Sequence, residues 1–162
     1  MALRSAAGAS HNHQVWPGGY LDHIAETMNL AIMLHPILTA LRVLPFSLSD
    51  ALLVLYLHDL EKPWRQGFGS PELAVGFDLD VAEQRHAFRL HLAERSGLLL
   101  DDAHVNALDF VEGEGPRYSP EERLMQPLAA FCHVCDTLSA RLWFDHPEVA
   151  DTWGARCAPQ SE

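Results

Sequence analysis

Apolar residues recur every three or four positions along most of the chain, which is the spacing of one face of an α-helix. The first predicted helix begins at Tyr20 and should stop or kink before Pro36, because proline removes a backbone donor and its ring collides with the preceding turn. No stretch of useful length alternates apolar and polar residues, so no strand is predicted. The apolar positions of the first helix are Leu21, Ile24, Met28, Ala31 and Ile32.

A second, strongly apolar helix is predicted in the segment PFSLSDALLVLYLHDL, with Ser47 or Ser49 as its N-cap. This helix runs into His58 and Asp59, so an imidazole and a carboxylate directly follow a stretch that should be buried. The next segment, KPWRQGFGSPE, is rich in proline and glycine and is predicted to be a loop.

Two shorter helices are predicted in the middle of the chain. Asp80 and Glu83 have the spacing of a capping box and indicate a helix over 81–97 that ends at a glycine. Asp101 or Asp102 is expected to cap the next helix.

The segment SPEE at 119–122 carries the signals of a helix start: a serine cap, a proline in the first turn and a glutamate at N3. The helix predicted from it is long, bends near Pro127 and ends at about Phe144, and the segment HPEVADTW is expected to add a turn. The predicted fold class is therefore all-α: a single-domain helical bundle with five to six main helices around one core.

The composition agrees with one globular domain, because 48% of the 162 residues are apolar and 20% are charged. Residues 1–12 are expected to form a flexible N-terminal arm that is either frayed or packed. Residues 13–146 are expected to form the helical domain, and residues 147–162 a C-terminal turn and tail.

The charge balance restricts the class of partner. With 22 acidic and 11 basic residues the chain has a formal net charge of -11, so we expect no duplex nucleic acid as a partner. A small phosphorylated substrate, held by a metal or a few local cations, is compatible with it. No secretory signal and no apolar run near the ~18 residues that span a bilayer is found, so a cytoplasmic protein without a membrane partner is expected. A homo-oligomer is left open.

The three cysteines, Cys132, Cys135 and Cys157, are an odd and sparse set, which argues against a disulfide framework and for a reducing compartment. Cys132 and Cys135 have CxxC spacing, but no second CxxC exists and the pair lies within an apolar helix. We therefore expect them to be small buried core residues rather than zinc or redox ligands.

Candidate metal ligands occur at four positions. The chain has ten histidines, and histidine is the commonest metal ligand in proteins. His58 and Asp59 close an apolar helix, His23 lies in the first helix, and Asp136 lies in a last helix that is apolar almost all round. A carboxylate in such a helix is either paired or bound to a cation. Two imidazoles and two carboxylates suit Zn, Mn, Fe, Co or Ni better than Ca.

These residues resemble the signature of the HD-domain metal-dependent phosphohydrolases, in which a His, a distant His-Asp pair and a further Asp lie on separate helices of an α bundle. The segment HQVWPGGYLDH at 13–23 is similar to the entry segment H-x-x-x-x-G-G-L-L-E-H found in part of that family. The segment HDLEK resembles the H-D-[IL]-G-K variant, with Glu61 in place of the glycine. The similarity extends from about His13 to Phe144.

The resemblance implies an HD-type fold and a bound divalent metal that activates water to attack phosphorus. The ligands it implies are His23, His58, Asp59 and Asp136. It also implies two catalytic residues: Asp59, which would orient the water, and Lys62, which would contact the substrate phosphate as a point charge. Many nucleotidase members carry a glutamate at the position of Lys62.

The implied substrate is a nucleotide or another small phosphoester. Arg65 is a second local cation, and Trp64 has a ring on which a base could stack. Trp16 is expected to line the same pocket, from its position near the glycine turn.

Other members of this family bind two metals. The candidates here for a second metal, or for holding a ligand in place, are His86, Glu112, Glu114 and His133. Some relatives hold two irons and use dioxygen, so a di-iron oxygenase acting on a small substrate is one alternative. A non-catalytic metal-binding helical module is another.

Plainer interpretations accompany these. Asp136 could form a salt bridge with Arg141 or Arg123, Lys62 and Arg65 could be ordinary surface cations, and His104 is expected to be a surface or boundary residue.

Overall fold

The structure is a computed structural model and describes residues 4–9, 13–143, 145, 146 and 148. Within these residues the chain forms helices and no strand, which confirms the all-α prediction. Five helices of nine residues or more and one of a single turn account for the α-structure. The α-helices are α1 Gly19–Leu41, α2 Leu48–Leu57, α3 Lys62–Arg65, α4 Ala82–Arg95, α5 Asp102–Phe110 and α6 Pro127–Leu142, and 3₁₀ turns lie at Pro71–Leu73 and Gly115–Arg117.

Helix α1 begins after Gly18, whose φ of 89° is in the left-handed region that glycine adopts without strain. The helix continues through Pro36 to Leu41, so the prediction that it would stop before Pro36 is wrong. Pro36 is exposed, and the carbonyl that its ring leaves without a backbone donor can therefore be solvated.

Helix α1 also has the length and composition of a membrane span. It contains 23 residues, and one 18-residue window has a mean hydropathy of 1.4 with 17% of it buried. The prediction that no apolar run would be long enough is therefore wrong for this helix. A single such helix near the N-terminus is weak evidence of a membrane, because core helices of soluble proteins and signal sequences pass the same test.

Helix α2 starts at Ser47, as predicted. The Ser47 hydroxyl accepts from the backbone N–H of Asp50, and the Asp50 carboxylate accepts from the backbone N–H of Ser47, so both halves of a capping box are present. His58 is the C-cap of the helix. The segment that follows is not only loop, because residues 62–65 form the single turn α3.

Helix α4 ends as predicted, with Gly97 at a φ of 72° just after it, but it begins differently. Its N-cap is Val81, which makes no side-chain cap bond, so Asp80 does not cap the helix. Helix α5 is capped by Asp101, whose carboxylate accepts from the backbone N–H of His104.

Helix α6 begins at Pro127 and not at 119–122. Proline is well placed at the first helical position, but it forces the preceding residue out of helical geometry, and Gln126 accordingly has a ψ of 168°. Ser119 instead accepts from the backbone N–H of Glu121 in a local turn. The helix ends at Leu142, while Phe144 and most of the predicted tail lie outside the described residues.

Helices α1, α2, α5 and α6 pack against one another, and α4 packs against α5. Their common core includes Val54, Leu55, Leu108 and the free thiols Cys132 and Cys135, which confirms these two as core residues. Burial raises the pKa of the Cys135 thiol to about 12. The arrangement brings the first turns of α1, the end of α2 and the middle of α6 to one place in the bundle.

Candidate metal centre

Four side chains from three helices meet at this place, and we call them the metal centre: His23 of α1, His58 and Asp59 at the end of α2, and Asp136 of α6. His23, His58 and Asp59 are at most 3% exposed. The Asp136 side chain is more exposed, at 18%, and lines a cavity together with Asp59. Asp136 pairs with neither Arg141 nor Arg123 in the described contacts, so the plainer interpretation of this residue is not supported.

The Nε2 atoms of the two histidines lie 3.0–3.6 Å from each other and from one oxygen of each carboxylate. His23 Nε2 is 3.0 Å from Asp136 Oδ1 and 3.4 Å from Asp59 Oδ2. His58 Nε2 is 3.4 Å from Asp59 Oδ2, 3.6 Å from Asp136 Oδ1 and 3.3 Å from His23 Nε2. Ligands ~2.0–2.2 Å from one cation lie ~3.0 Å apart as octahedral neighbours and ~3.5 Å apart in a tetrahedron. These residues therefore fit one divalent ion of the first transition row or zinc.

The other ring nitrogen of each histidine is already bonded. His58 Nδ1 donates to the carbonyl of Leu55 at 2.7 Å, and a carbonyl can only accept. His23 Nδ1 lies 3.0 Å from Ser139 Oγ. The two Nε2 atoms consequently face each other and two carboxylate oxygens, which is an arrangement that calls for a positive charge in the middle.

The pKa values in the metal centre also favour positive charge there, since that of His58 is raised and those of Asp59 and Asp136 are lowered. Burial by itself lowers the pKa of His58, but the charges of Asp59 and Asp136 and a hydrogen bond to Asp136 raise it to about 9. Burial raises the pKa of Asp59, yet the neighbouring cations His58 and Lys62 outweigh it and bring it to about 2. The pKa of Asp136 is lowered as well, because hydrogen bonds from both histidines exceed the effect of burial.

Lys62 is the only lysine in the sequence, and it lies at this site. Its Nζ is 2.5 Å from Asp59 Oδ2, and its side chain is 17% exposed. Because α3 begins at Lys62, three residues after Asp59, the two side chains occupy the same side of the turn. Lys62 is therefore not an ordinary surface cation.

A second ion pair supports the end of α2. Glu61 is 2% exposed, and its Oε2 lies 3.4 Å from Nε of Arg89, which is itself 5% exposed. Arg89 Nη1 also donates to the backbone carbonyl of His58. Helix α4 thereby holds the His58-Asp59 turn through contacts to Glu61 and to the backbone of His58.

A cavity of about 260 Å³ opens beside the metal centre. Three cationic side chains face it, and one of them, Arg85 of α4, was not predicted from the sequence. The lining residues are His13, Asp59, Glu61, Lys62, Arg65, Arg85, Glu112 and Asp136.

Two predicted substrate residues lie elsewhere. Trp64 packs its ring edge-on against Phe88 and donates Nε1–H to the carbonyl of Ser70, and Trp16 donates Nε1–H to Asp22. Neither tryptophan is among the residues that line the cavity.

The candidates for a second metal are dispersed. Among the described residues, no second group of three potential ligands converges. Glu112 reaches the cavity, and Glu114 Oε1 accepts from the backbone N–H of Met125. His133 Nδ1 donates to the carbonyl of Val111, and His86 lines a separate cavity of about 460 Å³ between α4 and α5.

Sequence reasoning missed several polar residues behind the metal centre, although a signal for two of them exists. Glu26 follows His23 by three residues, and Ser139 follows Asp136 by three, so each shares a helix face with a ligand. Gln14 and Arg89 carry no comparable local signal. The chain matches no protein-family model, no curated protein and no solved structure.

Proposed function

We propose that this protein is a metal-dependent phosphohydrolase of the HD-domain type that acts on a nucleotide or another small phosphoester. The observation that carries the proposal is that His23 Nε2 and His58 Nε2 both lie 3.0–3.6 Å from an oxygen of Asp59 and an oxygen of Asp136. Bound there, a divalent metal would lower the pKa of a coordinated water and neutralise phosphoryl oxygens.

The cationic side of the cavity supports a phosphate-bearing substrate. Lys62, Arg65 and Arg85 line the cavity together with four carboxylates, so three of the chain's eleven basic residues lie where a phosphate would enter, although the formal net charge is -11. Guanidinium groups match phosphate oxygens in pairs, and an ammonium binds them as a point charge. A volume of about 260 Å³ is suited to a small substrate rather than to a polymer.

The chain's own groups have distinct tasks in this proposal. Lys62 holds Asp59 in place before substrate binds, and it can exchange that contact for a phosphoryl oxygen because its ammonium has three donors. Asp59 lines the cavity beside the Lys62 ammonium and could orient an attacking water. Burial of both imidazoles keeps the reacting groups apart from bulk solvent.

The di-iron alternative receives less support. It needs further histidines around a second ion, and the described residues present His86 in a different cavity and His133 bonded to a backbone carbonyl.

The test combines metal content with hydrolysis. Purified protein is analysed for metals and then assayed for phosphate release from p-nitrophenyl phosphate and nucleoside monophosphates with Mn, Co, Ni or Zn. We expect a bound divalent metal and phosphate release that Asp136→Ala abolishes. Asp109→Ala is the matched control. Asp109 lies on α5, outside the metal centre, and its carboxylate pairs with Arg117. Equal activity of Asp136→Ala and wild type would overturn the proposal.

Lys62→Gln separates substrate binding from metal binding. The four metal ligands stay intact, so metal content should remain at the wild-type level while kcat/KM for phosphate release falls about 100-fold. Since Lys62 is the only lysine, its acetylation by an amine-reactive reagent can be followed by mass spectrometry as a second readout. Inorganic phosphate should protect the Lys62 side chain from this acetylation. Unchanged kcat/KM in Lys62→Gln would remove Lys62 from the proposed machinery.

A further inference from the structure

A chain of buried polar side chains runs from His23 away from the metal centre. His23 Nδ1 lies 3.0 Å from Ser139 Oγ, and Ser139 Oγ donates to Glu26 Oε2 at 2.7 Å. Gln14 Nε2 donates to the same Glu26 oxygen at 2.7 Å and to Ser139 Oγ at 3.3 Å. Ser139, Gln14 and His23 are fully buried, so these bonds have no competition from water.

When Glu26 is a carboxylate, counting donors assigns the hydrogens in this chain. A hydroxyl has one hydrogen and two acceptor lone pairs. Ser139 uses its hydrogen toward Glu26, and Gln14 fills one lone pair, so the bond with His23 can form only if His23 Nδ1 carries the hydrogen. In the neutral ring of His23, a hydrogen on Nδ1 leaves the lone pair on Nε2, which faces Asp136 and His58 and is free for a metal that displaces any proton there.

We infer that Glu26, acting through Ser139 and held in place by Gln14, is a positioning residue that sets the affinity of the metal centre. It does so by keeping His23 in the tautomer whose Nε2 can ligate. This inference rests on the metal site of the proposed function but not on hydrolysis.

The backbone is shaped to keep Gln14 in this role. Gln14 has a φ of 42°, the only positive value outside glycine among the described residues. Its carbonyl accepts from the backbone N–H of Gly8 at 2.8 Å, and a Cβ on Gly19 would lie 1.9 Å from that carbonyl oxygen. The described part of the N-terminal arm is thus packed against the site, and a residue in an unfavourable conformation is held by several contacts at once.

His58 provides an internal comparison. Its Nδ1 is held by the backbone carbonyl of Leu55, which no side-chain substitution removes. The orientation of His23 depends on side chains alone, so it is the ligand whose tautomer can be changed by substitution.

The first test measures metal affinity by competition with a chromogenic chelator, using Zn²⁺ or Co²⁺ alone. Glu26→Gln and Ser139→Ala should weaken binding about 10- to 100-fold, and Ser139→Thr, which keeps the hydroxyl, should restore most of it. Asp22→Asn is the matched control, because it removes a half-buried carboxylate from α1 one turn earlier without touching this chain. Wild-type affinity in both Glu26→Gln and Ser139→Ala would overturn the inference.

The second test needs no variant. Long-range ¹H–¹⁵N spectra of the histidine rings in Zn²⁺-loaded wild-type protein, with the His23 ring assigned through its proximity to Ser139, should show hydrogen on Nδ1 and none on Nε2. Hydrogen on Nε2 would contradict the inference even if every variant failed to fold. A wild-type protein that binds no divalent metal would instead contradict the proposed function, so the two failures are distinct.

Discussion

Among the described residues, two clusters place buried histidine beside carboxylates, and in only one of them do two ring nitrogens converge. The metal centre joins α1, α2 and α6. The second, which we call the helix-cap cluster, consists of His104, Asp101 and Asp50 and joins the starts of α5 and α2. His104 is 8% exposed, so the expectation that it would be a surface or boundary residue is wrong.

The difference lies in what each ring nitrogen contacts. In the metal centre, the Nδ1 atoms are bonded to a carbonyl and a hydroxyl, both neutral, and two Nε2 atoms converge. In the helix-cap cluster a single ring has Nδ1 2.6 Å from the Asp101 carboxylate and Nε2 3.4 Å from Asp50. The helix-cap cluster offers one imidazole instead of two that converge, and its Nδ1 also accepts from the backbone N–H of Asp101 at 3.4 Å, so this nitrogen is used in capping α5.

The carboxylates of the helix-cap cluster also cap helices. Asp101 caps α5, and Asp50 completes the capping box of α2. Hydrogen bonds from the cap backbone lower the pKa of both carboxyl groups. Burial of histidine beside acid is therefore not by itself a sign of a metal site, because the same residue types can serve to start helices.

The largest expected effect is on metal affinity, and it should distinguish the loss of a histidine in the metal centre from the loss of one in the helix-cap cluster. His58→Gln should reduce affinity for Zn²⁺ at least about 100-fold, because a ligand is lost and Nε2 of His23 loses its counterpart. His104→Gln should bind the metal as wild type does. Isothermal titration of both variants decides the matter, and a loss of binding in His104→Gln equal to that in His58→Gln would erase the distinction between the clusters.

The next effect is on pH dependence. The folded state of the metal-free protein raises the pKa of His58 from 6.5 to about 9, so this group's contribution to stability is complete below pH 6.5 and is lost as pH rises through 9. Asp59, lowered from 3.8 to about 2, contributes above pH 3.8 and ceases to do so as pH falls through 2. The Tm of metal-free protein should therefore be highest between about pH 3.8 and pH 6.5, and it should fall above pH 6.5.

Metal affinity should change in the opposite direction. Binding displaces the proton of His58, so affinity should rise up to about tenfold per pH unit between 6.5 and 9.

His58→Gln serves as the control for the Tm profile of metal-free protein, and this variant should lose the decline in Tm above pH 6.5. A flat Tm profile of metal-free wild type in that interval would show that His58 does not hold the positive charge of the centre.

Local signals in the sequence were sufficient where one helix end decided the structure. The Ser47 cap, the Asp101 cap and the glycine at position 97 all depend on a few adjacent residues, and all three predictions are confirmed. The order of His23, His58 and Asp136 indicated a cluster because buried polar groups in apolar helices need partners, and the structure brings these three together.

The sequence was insufficient where two signals competed or where distant segments met. The helix start at 119–122 was overruled by the constraint that Pro127 places on Gln126. The contacts of Trp64 with Phe88, of Gln14 with Glu26 and of Arg89 with His58 join segments whose proximity depends on the packing of whole helices. No local pattern specifies such contacts.

The smallest expected effect concerns stability in the helix-cap cluster. His104→Gln removes contacts to two carboxylates that link the starts of α5 and α2, and this should lower the free energy of unfolding by about 1–2 kcal/mol. Urea unfolding of metal-free protein measures it, with Glu94→Gln on the exposed face of α4 as the control. At one free Zn²⁺ concentration, Zn²⁺ should stabilise His104→Gln by the same increment as wild type, because the increment is then set by the affinity of the folded state for the ion. A smaller increment would mean that the two clusters are coupled through α2, and the metal centre would then depend on both ends of that helix.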